Sequence, residues 1–266
     1  MDLQLTGKRA LVTGSSAGIG AAIVRRLAAE GAEVVVHGRD ELRASAVAAA
    51  IRASGGSASV ALGDLSSDAG ADAVAAASTA GGPIDILVNN AGVLGMASWA
   101  EASAEAWAQK YNINVIGAVR MIQRLVPHMR ERGWGRVIQI GGGLSMQPYA
   151  MQPDYSATLA ARHNLAVSLA RELRSSGVTS NVVSPGAVLT EEMRPMLVGM
   201  AAAHGWGSDE AEMERNAAQA IAPNDVGRFA RPEEIAAAVA FVASPLAAYV
   251  SGATIRVDGG TIRSAF

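Results

Sequence analysis

The sequence predicts an α/β fold: a doubly wound parallel sheet, covered by helices on both faces and built as a single domain over residues 1–266. Three observations carry this expectation. Short β-branched runs alternate with longer segments whose apolar residues recur at helical spacing. Nearly every strand-like run ends in a turn signal of glycine, proline, asparagine or aspartate. The 266 residues, half of them hydrophobic, suit one α/β domain, since such domains often reach about 250 residues.

The first unit is Arg9 to Val12, then Thr13-Gly14-Ser15-Ser16-Ala17-Gly18-Ile19-Gly20, then an Ala-rich amphipathic stretch from Ala21 to Glu30. It reads as strand, glycine loop and helix. Gly31-Ala32 turns the chain into a second strand, Glu33 to Val36. A glycine loop between a strand and a helix leaves free N–H groups at the positive end of the helix dipole. Glycine is needed where a pyrophosphate would approach the backbone. Further strands follow. Ser59 to Leu62 ends at Gly63-Asp64-Leu65, and Ile84 to Val88 at Asn89-Asn90-Ala91-Gly92. Arg136 to Ile140 ends at Gly141-Gly142-Gly143, and Thr179 to Val183 at Ser184-Pro185-Gly186. Ala253 to Val257 ends at Asp258-Gly259-Gly260. In such a Rossmann-type sheet, ligands bind outside the carboxyl ends of the strands, where all these polar and glycine-rich tails fall. Thr190 to Phe229 breaks the rhythm with Met193, Met196, Met200, Trp206 and Met213, and with Pro195 and Pro223. It is expected to form a helical substrate lid over residues 190–229, since flexible methionines suit an adaptable apolar cover.

Composition narrows the function. Lys and Arg number 22 against 24 Asp and Glu, without a basic run, which disfavours a nucleic-acid surface. The absence of cysteine excludes disulfides and thiolate metal sites. The four histidines lack metal-like spacing, so no metal is expected. The N-terminus has neither the charged nor the apolar region of a signal peptide, and no uncharged apolar stretch approaches the roughly 20 residues of a membrane span. A cytoplasmic protein without membrane partners is expected.

Together these motifs resemble the short-chain dehydrogenase/reductase family, of the common single-domain type, over nearly the whole chain. Thr13, Gly14, Gly18 and Gly20 match its glycine motif, and Asp64 its adenine-contacting acid. Asn89 to Gly92 match its Asn-Asn-Ala-Gly motif, and Pro185, Gly186 and Thr190 its later cofactor segment. The resemblance implies a nicotinamide cofactor held by Thr13, Gly14, Ser16, Gly18, Ile19, Gly20, Asp64, Leu65, Asn90, Ala91, Gly92, Pro185, Gly186, Val188 and Thr190. It also implies a small-molecule substrate and a homo-oligomer, dimer or tetramer. At the end of the second strand an acid would take the ribose hydroxyls of NAD. This chain has His37-Gly38-Arg39, and the planar Arg39 cation suits the 2′-phosphate of NADP. NADP is therefore the expected cofactor. Asp40 is expected to cap the helix that begins near Glu41, and His37 to lie near the adenine ribose.

The family's active site usually holds Asn, Ser, Tyr and Lys. Asn114 and Tyr155 map onto it as catalytic residues, the Asn by resemblance holding a water in a proton relay. The Lys is expected four residues after the Tyr, where this chain has Leu159. The Ser normally stands thirteen residues before the Tyr, where this chain has Gly142. An unassisted phenol has a pKa of about 10, so it can donate a proton near neutrality but is a poor base. Losing one carbonyl-polarising donor costs on the order of a hundred- to a thousand-fold in rate. Ser145, Arg162, Lys110, Tyr149 and Gln147 are the replacements to weigh. Residue pattern alone favours a surface position for Arg162 and a solvated one for Lys110. Leu94, Met96, Met146, Met151 and Trp206 are expected to wall an apolar substrate pocket. The leading expectation is an NADP(H)-dependent reductase of a carbonyl or conjugated double bond with an atypical site. A non-redox isomerase, cyclase or lyase on the same scaffold, and a nucleotide-binding pseudoenzyme, stay open.

Overall fold

The computed structural model describes residues 1–264. The chain runs β1 (Arg9–Val12), α1 (Gly18–Ala29), β2 (Glu33–Gly38), α2 (Glu41–Ala53), β3 (Ser57–Leu62), α3 (Asp68–Thr79), β4 (Ile86–Asn89) and α4 (Ala104–Tyr111). It continues with α5 (Gly117–Glu131), β5 (Gly135–Ile140), α6 (Pro153–Glu172), β6 (Val178–Pro185), α7 (Arg194–His204), α8 (Glu210–Ile221), α9 (Pro232–Ala243) and β7 (Thr254–Val257). The strands form one seven-stranded sheet in the order β3-β2-β1-β4-β5-β6-β7. Every neighbouring pair is parallel, for example Leu11 opposite Val35 and Leu87. This is the doubly wound sheet expected from the alternation of runs.

Parallel strands covered on both faces need apolar residues on both. Val12, Val34, Val36, Ile86, Val88 and Ile138 point to the face packed by Ile23, Val24 and Leu27 of α1 and Ile235 and Val239 of α9. Leu11, Val35, Leu87 and Val137 point the other way, onto Val74 of α3 and Met121, Leu125 and Met129 of α5. Several strands run further than the pattern predicts. β2 continues to Gly38 because His37 and Gly38 pair with Ala61 and Leu62, and β6 continues to Pro185, opposite Val257. Ladder pairing, invisible in the local pattern, decides those ends. α1 begins at Gly18, earlier than its apolar periodicity shows, so the glycine loop runs directly into the first helical turn.

Between β6 and α9 the chain makes α7 and α8, which carry their own small core of Leu189, Leu197, Met213 and Phe229. The base of this segment is clamped where Leu189 N–H donates to Ala230 O and Ala230 N–H to Ala187 O, both at 2.9 Å. Arg231 grips the buried Glu214 carboxylate with two bonds of 2.7 Å. No helix among the described residues is long and apolar enough to cross a membrane.

Candidate active site

The sheet order reverses between β1 and β4, and the crevice at such a point is where α/β sheets take ligands. The glycine loop there is packed against the β4 tail. A Cβ on Gly14, whose φ is +64°, would stand 2.8 Å from Ala91 Cα, and one on Gly20 would meet the Gly14 carbonyl. Thr13 Oγ1 accepts from the N–H groups of Asn90 and Ala91 at 3.0 Å each. Asn90 Nδ2 donates to the Thr13 and Gly14 carbonyls at 2.9 and 3.0 Å. These bonds hold the loop open above α1. Asp40, Ser67, Ser103 and Asp209 cap α2, α3, α4 and α8 with side-chain oxygens. α1 has Ala17 at its N-cap, no side-chain cap and no acid in its first turn. An uncapped helix start beside a loop with glycine at its closest approaches fits a pyrophosphate.

At the end of β2, Arg39 Nη1 lies 3.8 Å from Asp64 Oδ2, with both side chains more than half exposed. Asp64 accepts from the Ser66 N–H at 2.9 Å, and that bond, with Arg39 adding to it, holds the carboxyl below its ordinary range. Asp40 caps α2 through the Arg43 N–H at 3.1 Å, as the sequence indicates. His37 closes the end of β2 from below. It is buried beneath the loop, its Nδ1 accepting from the Gly14 N–H at 2.8 Å and its Nε2 lying 3.1 Å from Gly63 O. Burial lowers its pKa. On the outer side, Thr190 Cγ2 stands 3.6 Å from where a Gly18 Cβ would be, so the stretch after β6 passes over the loop. Glu192 then reaches Arg43 of α2 at 2.9 Å, a contact that no local motif announces.

The candidate reactive end is built on α6. Its first turn carries Asp154 and Tyr155, and its inner face carries Thr158, Leu159 and Arg162. Asn114 lies in a π-helical segment, Asn112–Ile116, between α4 and α5. Such bulges turn a side chain out of helical register and are frequent at functional sites. Its amide is committed: Oδ1 accepts from Val93 N–H at 2.7 Å, and Nδ2 donates to Val93 O at 3.0 Å and Thr158 Oγ1 at 3.1 Å. Its backbone carbonyl accepts from Arg162 Nε at 2.6 Å.

Arg162 is not at the surface, as residue pattern alone suggests, but 4% exposed. Its Nη1 donates to Ile140 O at 2.8 Å and its Nη2 to Ala91 O. Among the described residues it has no carboxylate partner. A charge held only by carbonyl dipoles is costly to bury, and the guanidinium pKa falls to about 10. Tyr155 is the titratable group that feels its charge. Burial raises the phenol pKa while the Arg162 charge pulls it down. The Tyr155 hydroxyl has no hydrogen-bond partner among the described residues.

Lys110 also departs from expectation. It is not solvated: its Nζ lies 2.6 Å from Asp154 Oδ2, with side chains 11% and 1% exposed. Asp154 Oδ1 in turn accepts from the Tyr155 N–H at 2.7 Å, so the pair ties α4 to the turn that carries the phenol. Ser145 is engaged with the β5 tail and α6. Its Oγ bonds Gly142 O at 2.8 Å and lies 3.1 Å from His163 Nε2. Gly142 and Leu159 face each other: a Cβ on Gly142 would stand 2.9 Å from Leu159 Cδ1. The loops that rim the cleft are tied together, with Ala97 N–H donating to Met151 O at 3.1 Å and Gln152 Nε2 to Gly95 O at 3.1 Å. Leu94, Met96, Met146, Tyr149 and Met151 on these loops are all exposed. Asp154, Thr158 and Gln152 carry no motif of their own; only the helix register of Tyr155 could have pointed to Thr158.

The family model described as short chain dehydrogenase matches residues 8–197. The uncharacterized oxidoreductase YvaG of Bacillus subtilis is 36% identical over all of both chains. L-sorbose reductase of Gluconobacter frateurii, solved with NADPH and L-sorbose, superimposes with a TM-score of 0.92 at 34% identity, covering 99% of this chain and 100% of that one. A 3-oxoacyl (acyl-carrier-protein) reductase of Agrobacterium tumefaciens, solved with NADP, gives a TM-score of 0.87 at 36% identity, covering 97% and 96%.

Proposed function

The chain belongs to the short-chain dehydrogenase family, and from that premise we propose an NADP(H)-dependent reductase of a carbonyl or conjugated double bond in an apolar small molecule. The uncapped start of α1 and the glycine loop hold the pyrophosphate, and Arg39 takes the 2′-phosphate. Asp64 and Leu65 flank the adenine, while Asn90 to Gly92 and the stretch through Pro185, Gly186, Val188 and Thr190 line the rest of the groove. Bound NADPH supplies a hydride. Tyr155 donates the accompanying proton, and Asn114 and Arg162 hold the charge environment of its phenol. Residues 190–229 form the lid, and the chain works as a dimer or tetramer.

The observation that carries this reading is the buried Arg162 guanidinium, bonded to the Asn114 carbonyl and unpaired with any carboxylate among the described residues. The family resemblance gives Asn114 the relay water, and the guanidinium stands on that residue's backbone. A cation there stabilises the tyrosinate left after proton donation, the task of the Lys that Leu159 replaces. A phenol protonated near neutrality suits a proton donor rather than a base, which fits the reductive direction. With glycine at 142 the substrate oxygen has no hydroxyl donor from that position, so an alkene conjugated to a carbonyl is better served than a simple ketone.

The test follows NADPH absorbance with panels of apolar ketones and enones. Turnover is expected, with enones favoured, and Tyr155→Phe is expected to cut it by about a hundred-fold or more without weakening NADPH binding. Tight NADPH binding with no turnover on any substrate refutes a reductase and leaves a pseudoenzyme. Product formed regardless of cofactor oxidation state points instead to a lyase or isomerase.

A further inference from the structure

A cavity of about 740 Å³ opens at the far edge of the sheet, where β5 and β6 begin, away from the strand ends that carry the cofactor groove. Its volume lies within the range of small-molecule sites, roughly 300–1,000 Å³. Three arginines line it, Arg136, Arg171 and Arg174, and no Asp or Glu does. Arg136 is 2% exposed. Its Nε donates to Ser244 O at 3.3 Å and its Nη1 to Gly135 O and Gly177 O, at 2.8 and 3.3 Å. Its Nη2 makes no hydrogen bond among the described residues. Burial without a counter-charge lowers its pKa. Arg171 and Arg174 are exposed, and their side chains form no ion pair or hydrogen bond among the described residues. Thr179, buried in the wall, has a hydroxyl without a hydrogen-bond partner. Trp134 gives the cavity an aromatic side, its ring lying 4.4 Å from Arg136 Cζ.

The position of Arg171 and Arg174 at the end of α6 suits the negative end of its dipole. That explanation does not reach Arg136, which begins a strand and lies in the interior. Three guanidiniums lining one cavity with no acid among the lining residues offer forked donors to an anion with several oxygens. We propose that this cavity binds a small polyanion, a phosphate ester or a polycarboxylate, independently of the nicotinamide site. Arg136 is the buried anchor, and Arg171 and Arg174 form the entrance.

Calorimetry on the full chain at low ionic strength tests this, with NADPH saturating the dinucleotide groove and inorganic pyrophosphate and citrate as probes. One site per chain is expected, weakened by about tenfold or more in Arg171→Glu/Arg174→Glu. Both positions are exposed, so circular dichroism is expected to show that this variant keeps its fold. Tighter binding of pyrophosphate assigns the phosphate class, and tighter binding of citrate the polycarboxylates. No heat with either probe overturns the site. Equal binding by the double variant overturns it too, because the anion is then held elsewhere.

Discussion

Leu159→Lys places the family's usual cation on the same helix face as Arg162, three residues away. Neighbours at that spacing have Cβ atoms about 5–6 Å apart. Leu159 is 4% exposed and Arg162 is equally buried. At an effective dielectric of about 20 and a separation of about 6 Å, two unit charges repel by about 3 kcal/mol. Arg162 has no acid to neutralise its cation among the described residues, since its partners are the carbonyls of Asn114, Asn89, Ile140 and Ala91. Leu159→Lys alone is therefore expected to destabilise the protein by about 3 kcal/mol, or to lower the new lysine's pKa by about two units. A chain of this size would melt on the order of 6–12 °C lower. Arg162→Leu is destabilising by itself, because it strands buried carbonyls. In the double variant, however, the repulsion is gone, so the two changes should couple favourably by about 3 kcal/mol. Urea denaturation of both single variants, the double variant and the parent closes the cycle. A coupling below about 0.5 kcal/mol would show that the two positions do not share one charge site, and the substitution of Arg162 for the lysine would fall with it.

Lys110→Met leaves Asp154 charged at 1% exposure. Urea denaturation should show a loss of about 3–5 kcal/mol, largely recovered in Lys110→Met/Asp154→Asn. Arg39→Ala should weaken NADPH binding by about ten- to a hundred-fold in a fluorescence titration and leave NADH binding unchanged. An equal loss for both coenzymes would remove Arg39 from the 2′-phosphate. The His37 ring nitrogens are both engaged, and burial holds its pKa below the ordinary value of 6.5. The unfolded chain therefore takes up a proton that the folded one refuses, and stability is expected to fall as pH drops below 6.5. His37→Gln, which keeps an acceptor and a donor, should flatten part of that acid limb in pH-dependent melting. His163, whose pKa burial also lowers, adds to the same limb, and the lowered carboxyls of Asp64 and Glu234 add to it at more acid pH.

Much of the cofactor end is legible in the chain because its chemistry is local. A strand, a glycine loop and a helix start are consecutive, so residues 9–20 state their own geometry, and Asp40 caps the helix that follows it. Boundaries were less legible. Strand ends such as Gly38 and Pro185 depend on partners far away in sequence, which periodicity does not encode. The reactive end was the hardest to read. Arg162 and Lys110 sit on Ala-rich or polar helices and carry the signature of solvated residues. Their burial follows from what stands opposite them: carbonyls of β5, of the β4 tail and of the π-helical segment for Arg162, and Asp154 for Lys110.

The order of residues alone determined the alternation of strands and helices, the parallel sheet and the naked glycine loop. These depend on hydrophobic period and backbone freedom, which are properties of neighbouring residues. Only the folded chain decided where His37, Lys110 and Arg162 point, and that Gly142 and Leu159 face one another. Burial and electrostatic pairing are set by groups brought together from distant segments, and no short stretch of sequence carries that information.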